Sequence, residues 1–260
     1  MTQARLDDIL GGAVGHWAAE PHRVEAETTA RFEVPGLDEA LAVTRLPKDV
    51  RLLLRTLRAG MDSHTDGERD RTGAVRRLVS LGATPERGAT RIHVLDAGDV
   101  HLVSRDGRRW QPCADTTPPA ETEHAVRLLP DVLVEVTGDD TAGEVRRVTA
   151  TLDAAATRGL VDVRRLLGAG ADAAEASGTV GLLLGPDTLE IDLAVAVTAS
   201  AAATGAVAIH SRTHLVRSRR ELAPDLAIPE PSLSLPALAS LHQALHLSPP
   251  PRRTGGGRRH

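Results

Sequence analysis

Between Val24 and Val34 the chain alternates with a period of two. Val24, Ala26, Thr28, Ala30, Phe32 and Val34 fall on one side of an extended backbone, and Glu25, Glu27, Thr29, Arg31 and Glu33 on the other. Successive side chains of a strand point to opposite faces, so this segment reads as a strand with one packed face and one wet face. The packing partners have to be aliphatic. Aromatic residues make up 1% of the chain, namely Trp17, Phe32 and Trp110, with no tyrosine. A core of Ala, Val and Leu suits strands and Ala-rich helices, and the shortage of rings argues against recognition through aromatic stacking.

The 260 residues are enough for one large domain or two small ones with a real core. A formal net charge of -4 removes any global case for nucleic acid, although local basic clusters remain. Cys113 has no second cysteine to pair with, which fits a reducing compartment. The opening residues, MTQARLDDIL, carry acids where a signal peptide needs a basic region and an apolar run. The uncharged stretch from Leu193 to Ile209 is too short and too weakly apolar to span a bilayer. A soluble cytoplasmic protein without a membrane partner is expected.

Spacing and turn signals divide the chain into three parts. Residues 1–115 read as a mixed, hairpin-rich α+β unit. A helix near 3–17 precedes the strand at 24–34, and the turn PGLDE allows Ala40–Leu46 to return as a second arm. Asp49 can cap a helix that carries Val50, Leu53, Leu54 and Leu57 and stops at Gly60. A connector follows, then a short helix with Val75, Leu78 and Val79, and strands at Arg91–Leu95 and Val100–Ser104. Residues 116–222 read as an α/β unit. A helix starts at Thr117, an apolar strand lies at 131–136, and Thr141 with Glu144 makes a capping box for a helix over Val145, Val148 and Leu152. A shorter helix carries Val163, Leu166 and Leu167, and TVGLLL at 179–184 is a strand. Residues 223–260 comprise a Pro-rich connector, a short helix at 235–247 and a basic tail expected to be disordered.

Residues 189–204 can be read in two ways. Leu189, Ile191, Leu193, Val195 and Val197 alternate with Glu190 and Asp192 as a strand would, yet the segment is Ala-rich and ends at Gly205 as a helix would. Periodicity does not separate the two. Alanine is the best helix former and a poor strand former, which favours the helix. Strand, helix and strand in succession then require a partly parallel sheet, and the fold class expected is α/β.

Several stretches invite a chemical reading. In MDSHTDGERDRTG (61–73), Asp62, His64, Asp66 and Gly67 occupy the early positions of a calcium loop, but the closing acid is replaced by Gly73, so a solvated connector is expected. His242 and His246 have helical metal spacing without the glutamate of the metalloprotease motif. His210 and His214 would point the same way from extended chain, with Arg212 between them, which makes a basic face more readily than a metal cage. Cys113 lacks an identifiable base, and no nucleophile elbow, phosphate loop or dinucleotide fingerprint occurs. No metal and no cofactor are expected. If the sheet is parallel, Asp139, Asp140 and Asp187 would lie at strand ends, where carboxylates can serve as a catalytic cluster or simply cap helices. His210, Arg212, His214, Arg217, Arg219 and Arg220 form a local basic run that could be a solvated face or a phosphate-contacting edge.

The order of segments from about 124 to 210 resembles the C-terminal half of the bacterial branch of archaeal/eukaryotic-type peptide-chain release factors. The stretches that carry the likeness are HAVRLLPDVLVEV, LDAAATRGL, VDVRRLL, GTVGLLLGPD and DLAVAVTASAAATGAVAIH. The family's Gly-Gly-Gln has no counterpart, so no catalytic residue carries over. The resemblance implies an α/β sandwich and a non-catalytic role with the ribosome or RNA as partner. The leading expectation is a non-enzymatic binding protein with Arg212–Arg220 as its contact. The rivals are a small-molecule enzyme using the strand-end carboxylates and a scaffold subunit.

Overall fold

The computed structural model describes residues 4–6, 8, 20–43, 45–82, 90–116, 132–160, 174–201, 205–219, 225–241 and 244. The protein is built on one antiparallel sheet, not on an α/β sandwich. Its strands are β1 (Ala4–Arg5), β2 (His22–Glu33), β3 (Met61–Arg69), β4 (Val75–Leu81), β5 (Thr90–Ala97) and β6 (Val100–Ser104). Then come β7 (Gln111–Pro112), β8 (Leu133–Ala142), β9 (Val145–Leu152), β10 (Glu175–Leu184), β11 (Thr188–Ala201) and β12 (Gly205–Ser218). Three helices are described: α1 (Leu37–Ala42), α2 (Lys48–Ala59) and α3 (Ala154–Leu160).

The strand order is β1-β8-β9-β10-β11-β12-β2-β3-β4-β5-β6-β7. Strands β2 to β7 form one meander and β8 to β12 another. The pairing of β12 with β2 joins them into a single sheet that crosses residues 115 and 116. Every named pair is antiparallel, and among the described residues the one parallel contact is an isolated bridge between Cys113 and Leu238. The two ends of the sheet, among the described residues, are strands of two residues.

The decisive correction concerns residues 188–201. They form a strand zipped against β10 from Leu184↔Leu189 to Glu175↔Thr198 and against β12 from Thr188↔Ser218 to Ala201↔Gly205. Burial explains why strand wins over helix propensity. Leu189, Ile191, Leu193, Val195, Val197 and Ala199 are each at most 5% exposed and share the packed face. A helix would scatter that set around its circumference. Burying each large aliphatic side chain is worth about 1.5–3 kcal/mol, whereas alanine's strand penalty lies within a scale of about 1 kcal/mol.

Four other expectations are corrected as well. Val148, Ala150 and Leu152 are buried at alternate positions of β9, so the capping box at Thr141 and Glu144 opens no helix. Instead it lies at the β8–β9 hairpin, where Gly143 has φ 63°. Residues 61–69, taken as a connector, are strand β3: Ser63, Thr65 and Gly67 face inward while Asp62, His64 and Asp66 face out. Residues 75–81, taken as a helix, are β4, and Leu37–Ala42 is a helix where a second hairpin arm was expected. The helix before Gly60, the strand at 24–34 and the β5–β6 hairpin stand as read. The sequence-predicted helices near 3–17, 117–129 and 163–167, the pair His242 and His246, and the basic tail lie wholly or largely outside the described residues.

The inner face of the sheet carries two cores. The larger runs from Leu6 and Val134 through Val148, Val180, Ile191 and Leu215 to Val24. Over it, α3 approaches β10 so closely that a Cβ on Gly178 would stand 3.0 Å from Thr157 Oγ1. The smaller joins Val79, Ile92, Val94, Val103 and Cys113, and it is closed by Leu238, Leu241 and Ala244 of the C-terminal segment. At its border Arg77, 4% exposed, pairs with Asp96, which also accepts hydrogen bonds from Thr116 and pairs with His101 at 2.9 Å. Gly67 makes room for that arginine, since a Cβ there would meet Arg77 Cγ at 3.0 Å. On the outer face Trp110 covers Leu95 and Leu102.

Asp70 ties the C-terminal segment to the β3–β4 hairpin. Its Oδ1 accepts from Thr72 N, Thr72 Oγ1 and Ala74 N at 2.8, 2.7 and 2.9 Å, and its Oδ2 accepts from Leu226 N at 2.8 Å. Burial pushes the carboxyl up, but the hydrogen bonds outweigh it and hold it below the usual carboxylate range. A lowered folded pKa stabilises the protein above the unfolded value, and that contribution is lost as pH falls through the folded one. Asp70→Ala is therefore expected to cost about 1–3 kcal/mol at neutral pH, and the gap between wild type and variant in urea unfolding should shrink in strong acid. A gap that widens in acid would contradict this.

The strand assignment generates its own pair of outcomes. Ile191→Ala should cost about 2–5 kcal/mol in urea unfolding. Ala194→Val, on the outer face of β11, should leave stability equal or raise it by up to about 1 kcal/mol, since valine fits a pleated surface better. A helix would reverse the sign of the second.

Candidate sheet-face site

Three of the sequence's candidates, His210, Arg212 and His214, lie on the outer face of β12, beside β11 and β2. Register decides which residues share that face. One row runs Thr151, Thr179, Ala194, Arg212, Thr29, Asp62 across β9, β10, β11, β12, β2 and β3. The next runs Gly181, Asp192, His214, Glu27, His64. A third, Ser177, Ala196, His210, Arg31, lies on the other side of the first.

These rows place His210, Arg212 and His214 on one face, two residues apart. The rest of the basic run goes elsewhere. Arg217 is on the opposite, packed face and is 8% exposed, because Leu189 and Val24 are its cross-strand neighbours. Arg219 lies just past the end of β12, where its backbone N–H donates to Asp187 O at 3.0 Å. Arg220 is outside the described residues. A continuous contact edge from Arg212 to Arg220 is therefore not formed, since alternation sends its members to both sides of the sheet.

Cross-strand charge pairs lace the outer face. Arg31 Nη1 donates to Asp62 Oδ1 at 2.6 Å. His64 stands 3.5 Å from Glu27, His210 3.5 Å from Glu33, and His214 3.1 Å from Asp192. Arg212 reaches Asp192 Oδ1 at 3.5 Å while its side chain stays 72% exposed. All are open to water, so each pair contributes only a few tenths of a kcal/mol to about 1 kcal/mol. Their effect is to orient the long side chains.

Between those long side chains lies a groove of about 530 Å³, open to solvent. Its floor is small: Ala194, Ala196, Ser177 and Thr179, with Thr29 and Thr151 beyond them. The ionisable side chains among its lining residues are Arg31, His210 and Arg212, and all three are basic. The carboxylates that orient them, Asp62, Asp192 and Glu33, stand outside the lining.

The carboxylates expected at strand ends do not meet in a crevice. Asp139, on β8, makes a bidentate pair with Arg146 of β9 at 2.9 and 2.7 Å. The hydrogen bonds from Arg146 hold the Asp139 carboxyl below its usual range. Asp140 follows on the exposed part of the same strand, opposite Arg147. Asp187 is in the β10–β11 turn. An antiparallel meander has no switch point where parallel strand ends converge, so both the catalytic cluster and the helix caps lose their premise. Cys113 is 3% exposed, its S–H donates to Asp115 O, and burial pushes its thiol up, which makes it an inert core residue. Of the calcium-like stretch, Asp62 serves Arg31 and His64 faces Glu27.

Two acids escaped the list of sequence candidates. Glu190 and Asp192 come within reach of His214 only when residues 188–201 are extended. The alternation of Leu189, Ile191 and Leu193 around them was the available signal.

No family model and no curated protein matches this chain. Among solved structures, the chain is similar to the crystal structure of LprF from Mycobacterium bovis, at 14% identity and a TM-score of 0.36, covering 87% of this chain and 96% of that one. A likeness that loose carries no functional argument. The segments thought to resemble a release factor form antiparallel strands where that family has an α/β sandwich. The resemblance is withdrawn, and with it the translation-associated role. No helix among the described residues is long and apolar enough to cross a membrane.

A double-mutant cycle on Arg31→Ala and Asp62→Ala should return a coupling of about 0.2–1 kcal/mol that falls with added salt. A salt-insensitive coupling well above that would contradict an orienting role.

Proposed function

We propose that this is a non-enzymatic binding protein that takes an anionic ligand, bearing a carboxylate or phosphate, into the outer-face groove. The observation that carries the reading is the basic character of every ionisable group among the lining residues, Arg31, His210 and Arg212, in a protein whose net charge is -4. Arg212, held at one point by Asp192, has five N–H donors and projects over the floor. The hydroxyls of Thr29, Thr179 and Ser177 supply further hydrogen bonds, and the methyls of Ala194 and Ala196 accept the uncharged part of the ligand. The groove volume is within the range of small-molecule sites. The same reading places the protein in a reducing compartment such as the cytoplasm, on the strength of its lone, buried Cys113.

The rival readings have less to stand on. The carboxylates that an enzyme would have used are dispersed between an ion pair, a strand and a turn. A scaffold needs a contiguous apolar patch, whereas the exposed large hydrophobics among the described residues, Val43, Val50, Val100, Val136, Ile228 and Leu233, are spread along the chain.

Backbone amide shifts during titration with inorganic phosphate, hexanoate and neutral hexanol test the proposal. Phosphate or hexanoate should move Thr29, Thr179, Ala194 and Arg212, hexanol should not, and the preferred anion identifies the head group. Arg212→Ala should weaken that binding about tenfold or more, the equivalent of losing a hydrogen bond to a charged group. Shifts spread over the whole surface, or equal shifts with hexanol, would overturn the reading.

A further inference from the structure

We propose that Glu190, Asp192 and His214 form a site for one divalent transition-metal ion of the zinc class on the outer face of β11 and β12. The inference goes beyond the groove and does not depend on what occupies it. The donor atoms of the three side chains lie within 4.8 Å of one another. His214 Nδ1 is 3.1 Å from Asp192 Oδ1 and 4.0 Å from Glu190 Oε1. Bonds of about 2.0–2.2 Å to one zinc ion set neighbouring donors roughly 3–3.5 Å apart. The His214–Asp192 pair already has that spacing. Glu190 reaches it by rotation of its own flexible side chain.

The scaffold is suited to the task. Asp192 is directly opposite His214 in the β11–β12 ladder, and Glu190 is two residues along on the same face. Strand hydrogen bonds therefore fix the backbone beneath all three donors. On β10 the residue opposite Asp192 is Gly181, where even a Cβ would come no closer than 3.7 Å to its neighbours, so the approach from that side is open. The three side chains are 36–42% exposed, which leaves water to complete the coordination shell. Two carboxylates held side by side repel each other, and a dication relieves that repulsion. An imidazole beside them selects zinc and its neighbours in the transition series over calcium or magnesium.

The charged groups facing the site are Arg212, on the same strand as His214, and Glu27, opposite His214 on β2. Arg212 opposes a metal through its contact with Asp192. Its side chain is 72% exposed, so it can leave that carboxylate when the ion arrives. Removing it should strengthen metal binding, an outcome opposite to its effect in the groove.

Calorimetric titration of the full chain with zinc chloride alone, in a non-chelating buffer, tests the site. One zinc per chain is expected. His214→Ala and Asp192→Asn should each weaken it about tenfold or more, whereas His210→Ala should leave it unchanged and Arg212→Ala should tighten it. Cobalt bound in place of zinc should show visible d–d absorption that His214→Ala removes, and circular dichroism confirms that each variant keeps its strands. Absence of zinc binding, or zinc binding that survives both His214→Ala and Asp192→Asn, would overturn the proposal. Because no groove ligand is present, a negative result here says nothing against anion binding, and the reverse holds too.

Discussion

The pairing of β12 with β2 is the interaction on which the structure depends. Each of the two meanders is local in sequence, and either alone would be an open sheet with a bare edge. The eleven residue pairs from Arg23↔Ser218 to Glu33↔Ala208 remove both edges at once and bring segments almost 200 residues apart into register. They also let one core run beneath both meanders, since Val24 and Ala26 of β2 and Leu215 of β12 belong to the same buried cluster as Ile191 and Val180.

Register links that core to the outer face. A slip of one residue in β12 would turn Leu215 and Ile209 to water and bury Arg212 and His214. The aliphatic positions therefore hold the basic ones in place, although they never touch a ligand. The small residues of β10 and β11 have the complementary role. Ala194, Ala196, Ser177 and Thr179 contribute little to the core, and their shortness is what leaves a hollow between the arginines and histidines. Metal donors and groove cations occupy neighbouring rows, joined by Arg212, which can serve one carboxylate or one incoming anion.

Much of this was legible in the sequence, and the failures have specific causes. The alternation of β2 and the hairpin of β5 and β6 were plain because their inward positions include Val24, Ala26, Ile92, Val94 and Val103. Strand β3 was invisible because its inward residues are Ser63, Thr65 and Gly67, which carry no hydrophobic period; Gly67 leaves room beside Arg77. In β9 a local capping signal competed with three alternating buried residues, and tertiary burial prevailed. In β11 two of the alanines that suggested a helix, Ala194 and Ala196, lie at outer positions, where a groove floor needs small side chains. Its aliphatic alternation was the better guide, and a parallel sheet, a release-factor likeness and a carboxylate crevice all followed from setting it aside. Pairing between β12 and β2 has no local signature at all. The site was legible only as far as His210, Arg212 and His214 sharing a face, since their acidic partners come from other strands.

The most direct test of this account is cross-linking at the open end of the β10–β11 hairpin. In a Cys113→Ser background, Glu175→Cys and Thr198→Cys are direct partners far from the turn. Antiparallel strands bring their Cβ atoms within about 4.5–5.5 Å, close enough for a disulfide to form on mild oxidation with small adjustment. The account predicts rapid intramolecular linkage of this pair, while Glu175→Cys with Val195→Cys, three residues out of register and on the other face, stays reduced. Failure of the first pair to link, together with a helical signature for residues 188–201, would contradict it.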